Sequence, residues 1–317
     1  AAMTNTQLAA LTTAEIAAME TVDLNAMQAS AVQGMTTAQI AGLSTAQMAA
    51  FSSTQVGSLS TAVVASLSTT QVVALTTSQI QGLSATQIAA LSTDQIAAME
   101  TIDVAKLRST QLVALSTSQI ASFSTAQIAA LSTIQLATFR TQSIAALSTD
   151  QIVALTSTQI KALQLADLAA MTTEQIAALE TDDVAAITTE QISALKTAQI
   201  AALTSDQVLT LSTDQLSKLK TAQIAALTTA QVVALTTTEY GQLSGLQLKA
   251  LSTSQIQAIE TQDIVSLTTS QIQAINTADI AVLTTSQIQA INTADIVALT
   301  TNQIQAINTA DIAILTT

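Results

Sequence analysis

The chain is 317 residues long with a formal net charge of −13, from eight Lys/Arg against 21 Asp/Glu, and it contains no Cys and no His. That composition removes disulfides, thiol nucleophiles, zinc sites built from Cys and His, and histidine acid–base catalysis; the acidic balance speaks against nucleic acid or an anionic membrane as partner. Hydrophobic residues make up 49 % and aromatic residues 1 %, a mixture that fits only a narrow aliphatic core.

Ala1-Ala2 already fall in phase as the last two positions of an eight-residue unit, and neither a leader peptide nor an initiator Met is visible. A processed chain or a segment of a longer one is therefore expected. From Met3 to Ile314 the unit recurs without insertion or deletion as thirty-nine octads, and Leu315-Thr316-Thr317 opens another. The consensus is Leu, Ser/Thr, Thr, any residue, Gln, Ile/Val, any residue, Ala, seen cleanly at Leu91–Ala98. So strict a period predicts a stack in which each unit rests on its neighbours. No Pro-rich or charged linker divides it, so a single domain spanning 1–317 is expected, without separate capping repeats. Ser, Thr or Gln interrupts every octad, so no run of about 18 apolar residues exists to span a membrane.

Each octad carries its own helix start. In Leu91–Met99, Ser92 is a good N-cap and Gln95 stands three residues later, the spacing of a capping box, while Leu91 and Ile96 bracket the start as a hydrophobic staple. Ala97 and Ala98 add helix propensity. One continuous helix is disfavoured, because eight residues at about 100° each overshoot two turns by about 80°, and the Leu/Ile stripe would spiral around the axis. The expectation is an all-α solenoid of very short helices. The alternative is a β-solenoid, since Thr and Ile suit strands; against it stand the absence of Pro, only six Gly and the lack of turn residues generally.

The octads show a parity. The fifth position is Gln in most of them and Asp at Asp23, Asp103, Asp167, Asp183, Asp263, Asp279, Asp295 and Asp311, all in odd-numbered octads counted from Met3. Gln at the seventh position, at Gln33, Gln81, Gln257, Gln273, Gln289 and Gln305, falls only in even ones. The alternation predicts a coil of two octads, or 16 residues, with Asp279, Asp295 and Asp311 in one row and Gln273, Gln289 and Gln305 in another. Ile272 and Ile288 should then stack, and Ile272 and Ile280 should face each other. The copies are diverged up to about Ala234, least regular over Leu235–Leu251, and nearly uniform from Leu251 onward, which suggests recent duplication at that end.

Few residues suggest chemistry. A carboxylate ladder of Asp279, Asp295 and Asp311 supplies one acid per coil, short of the oxygen set calcium requires; helix capping explains the same residues. Glu20/Asp23, Glu100/Asp103, Glu180/Asp183 and Glu260/Asp263 place two acids three apart, as glycosidases do, but with no aromatic platform or cleft-forming insertion a solvated face explains them. Tyr240 is the lone Tyr and replaces the sixth-position Ile/Val beside Gly241; it reads as a core variant with Gly making room, or else as a hinge or partner contact. Lys196, Lys218, Lys220 and Lys249 are the main basic concentration, too sparse for nucleic acid and suited to pairing with acids across coils. Thr at the third position would line up in rows, for capping, for O-linked glycans on Thr/Ser, or as a flat array. No catalytic, cofactor or metal residue is expected, and no enzyme.

The run Met171-Thr172-Thr173-Glu174-Gln175-Ile176-Ala177-Ala178 resembles the octapeptide arrays of large secreted or cell-surface bacterial proteins, often labelled as adhesion or haem-utilisation proteins. The resemblance covers essentially the whole chain and implies an adhesin- or fibre-like role outside the cell; without His it gives no support to haem ligation. The Leu-Thr-x-x-Gln-Val opening also resembles the first helix of the DNA-binding repeats of transcription-activator-like effectors, but only over a helix start, and the short period and acidic charge exclude DNA binding. Together these features predict a structural extracellular filament, rod or stalk subunit. The alternative is a repeat-based binding module for carbohydrate, ice or a protein partner on a surface adhesin. Self-association through exposed end coils is the expected assembly route, because burying apolar ends is favourable and a contact that repeats without closing makes a fibre.

Overall fold

The computed structural model describes residues 3–315 and falls into two compact units that divide between Leu163 and Gln164. Each unit is a solenoid of short helices. Thirty-nine helices, from Asn5–Ala9 to Thr309–Leu315, occupy the described residues, and no strand forms among them. The helix starts are those expected from the capping pattern. Ser92 accepts a hydrogen bond from the Gln95 backbone N–H while the Gln95 side chain accepts from the Ser92 N–H, and the helix runs Thr93–Ala98. Helices this short are marginal alone, so packing supplies what propensity cannot.

Between helices the chain turns through two extended residues. Leu83 (φ −63°, ψ 138°) and Ser84 (φ −69°, ψ 162°) form such a corner, and Leu203 with Thr204 repeats it in the second unit. No described residue has a positive φ. The corner therefore needs neither Gly nor Pro, which is how a chain so poor in turn residues can bend at every octad. First, fifth and sixth positions are buried, as at Leu91, Gln95 and Ile96; second to fourth and seventh positions are mostly exposed. The apolar core is narrow enough that Phe123 and Phe139, sixteen residues apart, stack with ring centroids 6.5 Å apart.

The expected sixteen-residue coil is wrong. Within each unit every helix-on-helix contact joins helices three octads apart, so a coil holds three octads, or 24 residues. The helix Thr269–Ala274 packs on Gly245–Lys249 below and on Thr293–Ala298 above. Ile272 therefore does not belong to the same column as Ile288, and Ile280 is not its partner across a two-sided coil. Asp279, Asp295 and Asp311 advance two octads at a time around a three-sided coil and fall on three different sides. The same holds for Gln273, Gln289 and Gln305. The physical reason is the corner angle: two extended residues turn the chain too little for two helices to close a coil, and three suffice.

Two glycines mark a close helix-on-helix approach. A Cβ on Gly57 would lie 2.6 Å from the Gly82 carbonyl oxygen, and one on Gly82 would lie 2.5 Å from the Ser53 oxygen. Real side chains do not tolerate such approaches, so these glycines let the helices Ser53–Ser58 and Thr77–Gly82 pack backbone to backbone.

Candidate functional site: the corners between octads

The distinctive chemistry of the chain lies at its corners, where the fifth-position side chain is buried. Gln79 shows the pattern. Its Oε1 accepts from the Thr76 N–H at 2.7 Å, and its own N–H donates to Thr76 Oγ1 at 3.3 Å. Its Nε2 then reaches one coil down and donates to the carbonyls of Met48 at 2.8 Å and Phe51 at 2.6 Å. Those carbonyls end the helix Thr45–Ala50, and helix ends leave carbonyls without intrahelical partners. The glutamine thus starts its own helix and finishes another lying 28 to 31 residues earlier. Gln39, Gln111, Gln199 and Gln287 repeat the arrangement at the same spacing. This double role takes an amide, because it needs an acceptor and a donor on one side chain, and a carboxylate offers acceptors alone.

The aspartate corners run the other way. Asp103, Asp263 and Asp295 accept from the hydroxyls of Thr77, Thr237 and Thr269, one coil below, at 2.7, 2.9 and 2.6 Å. The octads of Asp103, Asp279 and Asp295 in turn receive bonds from seventh-position amides beneath: Gln81 donates to the Lys106 carbonyl at 3.0 Å, Gln257 to Val282 at 2.8 Å and Gln273 to Ala298 at 2.7 Å. This explains the parity. With three octads per coil, an odd octad always lies on an even one, so the alternation pairs unlike octads along every side.

The N-caps differ to match. Asn276 and Asn292 accept from the backbone N–H of Asp279 and Asp295 and donate to their carboxylates. Glu100 and Glu260 make no side-chain cap. Burial pushes the carboxyls of Asp103, Asp263 and Asp279 above the usual Asp range; hydrogen bonds from Thr77, Thr237 and Asn276 oppose the shift, and the charges of Glu100 and Glu260 add to it at the first two. Exposed Glu15 is held low by the backbone N–H and hydroxyl of Thr12.

At two corners that lack the glutamine, another donor takes one of its carbonyls. Ser143 is too short to reach, and Arg140 Nη2, three residues earlier, donates to the Val113 carbonyl at 3.1 Å, thirty residues before Ser143. Asp263 has no N–H to give, and the Tyr240 hydroxyl donates to the Val232 carbonyl at 2.7 Å, the oxygen a glutamine at 263 would reach. Burial raises the Tyr240 phenol far above its ordinary pKa, with Asp263, Glu239 and Glu260 contributing. Tyr240 is fully buried, as expected for a core variant. Gly241 does not make room for it, since a Cβ there would meet open space. The sequence holds the two compensating pairs, but the residues in each act together only through the 24-residue coil.

The remaining candidates are separated rather than gathered. In Glu100/Asp103, Glu180/Asp183 and Glu260/Asp263 the Glu is exposed while the Asp is buried, so the two carboxylates do not face a common space; Asp23 of Glu20/Asp23 is exposed like its partner. A surface groove of about 410 Å³ is lined by Gln257–Gln262, Thr284 and Gln287, with Glu260 its one acid. No group of three or more acids fit to hold a metal exists among the described residues. Lys196 and Lys220 stand one coil apart at the starts of two packed helices, Thr197–Ala202 and Thr221–Ala225. Lys218 lies by Glu190, whose carboxyl is held low chiefly by backbone and threonine hydrogen bonds, with Lys218 adding to them; Lys249 ends the helix Gly245–Lys249. Among the described residues no helix is long and apolar enough to cross a membrane. No curated protein matches the chain. The profile of the ALTTAQ repeat matches residues 16–53, 48–85, 73–101, 96–133, 133–165, 160–197, 176–213, 192–221, 211–245, 256–293 and 288–317.

Proposed function

The chain belongs to the ALTTAQ repeat family, and from that membership we propose that it is a structural protein without catalytic activity, a rod or filament subunit working outside the cell or at its surface. The observation that carries this reading is the corner glutamine. The side chains best able to do chemistry in the interior are already engaged in joining one coil to the next, as at Gln79. Each glutamine corner gives its amide to the coil before it and offers helix-end carbonyls to the coil after it, as Gln79 does for the carbonyls of Met48 and Phe51. Two copies can therefore join as two coils do, and a head-to-tail contact that does not close propagates as a fibre. Exposed second- to fourth-position Ser and Thr leave the outer faces available to O-linked glycans.

Electron microscopy of the purified chain tests the reading. Filaments whose axial repeat matches the coil spacing are the expected result. A monomer that stays dispersed at high concentration and binds a carbohydrate or protein saturably would overturn it in favour of a binding module.

A further inference from the structure

Every corner in the array must contend with helix-end carbonyls, and the aspartate corners meet them with a charge. Asp103, Asp263 and Asp279 are each 2 % exposed and occupy the position from which glutamine donates its amide N–H. As carboxylates they accept only, from Thr77, from Thr237 and from Asn276. We propose that these corners are pH-sensitive joints: protonating the buried aspartates gives them an O–H donor and removes their charge, so the array is more stable in mild acid than at neutrality.

The surroundings are short of positive charge. Around Asp103, the helices packed below and above, Thr77–Gly82 and Thr125–Ala130, bring no titratable group; the flanking octads bring Asp94 and Arg108, and its own octad brings Glu100 and Lys106. Around Asp263, the helix below brings Glu239 and Tyr240, the helix above, Thr285–Ala290, brings none, and the N-cap is Glu260. Around Asp279, the helices Thr253–Ala258 and Thr301–Ala306 carry no titratable group. Burial is the largest cause raising all three carboxyls above their ordinary 3.8. A raised carboxyl contributes stability that is full below its unfolded value and lost as pH rises through its folded value. Glu15, Glu174 and Glu190 are lowered instead, so their contribution falls away only below the ordinary 4.5. From neutrality down to the ordinary carboxylate range, acidification therefore favours the aspartate corners, and the lowered glutamates oppose it only below the ordinary 4.5.

Thermal unfolding of the whole chain across that window tests the proposal. The midpoint should rise on acidification, and the combined Asp103→Asn, Asp263→Asn, Asp279→Asn variant should lose most of the rise. A charge-matched variant at exposed sites, Asp94→Asn, Asp150→Asn, Asp214→Asn, should keep it. If the Asn variant does not fold, the same three positions changed to Gln carry the same test, with the consensus amide restored. An unchanged rise in the corner variant, an equal loss in the exposed variant, or a fall in the wild-type midpoint would overturn the proposal. The test is independent of filament formation, since a chain that never assembles still shows the rise.

Discussion

Two neighbouring corners, at Gln95 and Asp103, use the same backbone for opposite purposes. Gln95 accepts from the Ser92 N–H at 2.6 Å and sends its amide down to the carbonyls of Ala65 and Leu67. Asp103 sends nothing down; it receives the Thr77 hydroxyl, and the carbonyl ending its octad receives the Gln81 amide. An amide corner is thus fastened through its own side chain to the backbone below, and an acid corner is fastened by side chains rising from below. The difference shows that a coil-to-coil joint can be made from either partner, provided some group supplies the donor. Arg140 and Tyr240 fit that rule, since each gives a hydrogen bond where Ser143 or Asp263 cannot.

An amide corner should be the most sensitive to substitution. Gln79→Leu keeps the bulk but removes the cap acceptor and leaves the Met48 and Phe51 carbonyls without their amide, so a loss of about 3 kcal/mol is expected from a lost cap plus unsatisfied backbone groups. Urea unfolding, with hydrogen exchange at the Thr45–Ala50 and Thr77–Gly82 helices, measures it; a loss under about 0.5 kcal/mol, the range of neutral surface changes, would show that the amide is not what joins the coils.

A smaller effect is expected where a substitute donor works. Tyr240→Phe preserves the core shape and removes only the hydroxyl bonded to the Val232 carbonyl, for a loss of about 1–2 kcal/mol. Adding Asp263→Gln should restore most of it, because the new amide reaches the same oxygen. Additive losses in the double-mutant cycle would mean that Tyr240 and position 263 do not share a carbonyl.

The smallest change should be a gain. Asp103→Gln returns the consensus amide to an acid corner and removes a buried charge, so stability at neutral pH should rise by about 0.5–1 kcal/mol. Destabilisation in the same unfolding assay would indicate that the Thr77 hydroxyl bond outweighs a restored donor, and that the two kinds of corner are not interchangeable.

Much of the corner is legible in the sequence. Ser92 and Gln95 at capping-box spacing, Leu91 and Ile96 as the staple, and Ala after them predict the helix Thr93–Ala98 and its buried face, because these interactions close within one turn of chain. The alternation of Asp and seventh-position Gln is also visible there, and it is real; the sixteen-residue coil drawn from it is not. A period of two is compatible with like octads stacked in rows or with unlike octads stacked on each other. The frequent third-position Thr hides the partner of Asp103, since Thr77 looks like most other third-position residues. The second role of glutamine is hidden for a related reason: the capping box already accounts for the residue, and nothing local shows that the Gln79 Nε2 binds the Met48 and Phe51 carbonyls.

The eight-residue unit, the start of each helix, the buried positions and the alternation of two kinds of octad can all be had from the chain as written. They rest on interactions between residues fewer than eight apart, or on a repetition that can be counted. The number of octads that close a coil belongs to the folded molecule alone. With it come the stacking of odd octads on even ones, the three directions faced by Asp279, Asp295 and Asp311, and the service of Tyr240 to the carbonyl left by Asp263. These depend on the angle accumulated through successive corners such as Leu83-Ser84 and on partners about 24 to 31 residues apart, and a strictly repeating sequence looks the same at every multiple of its period.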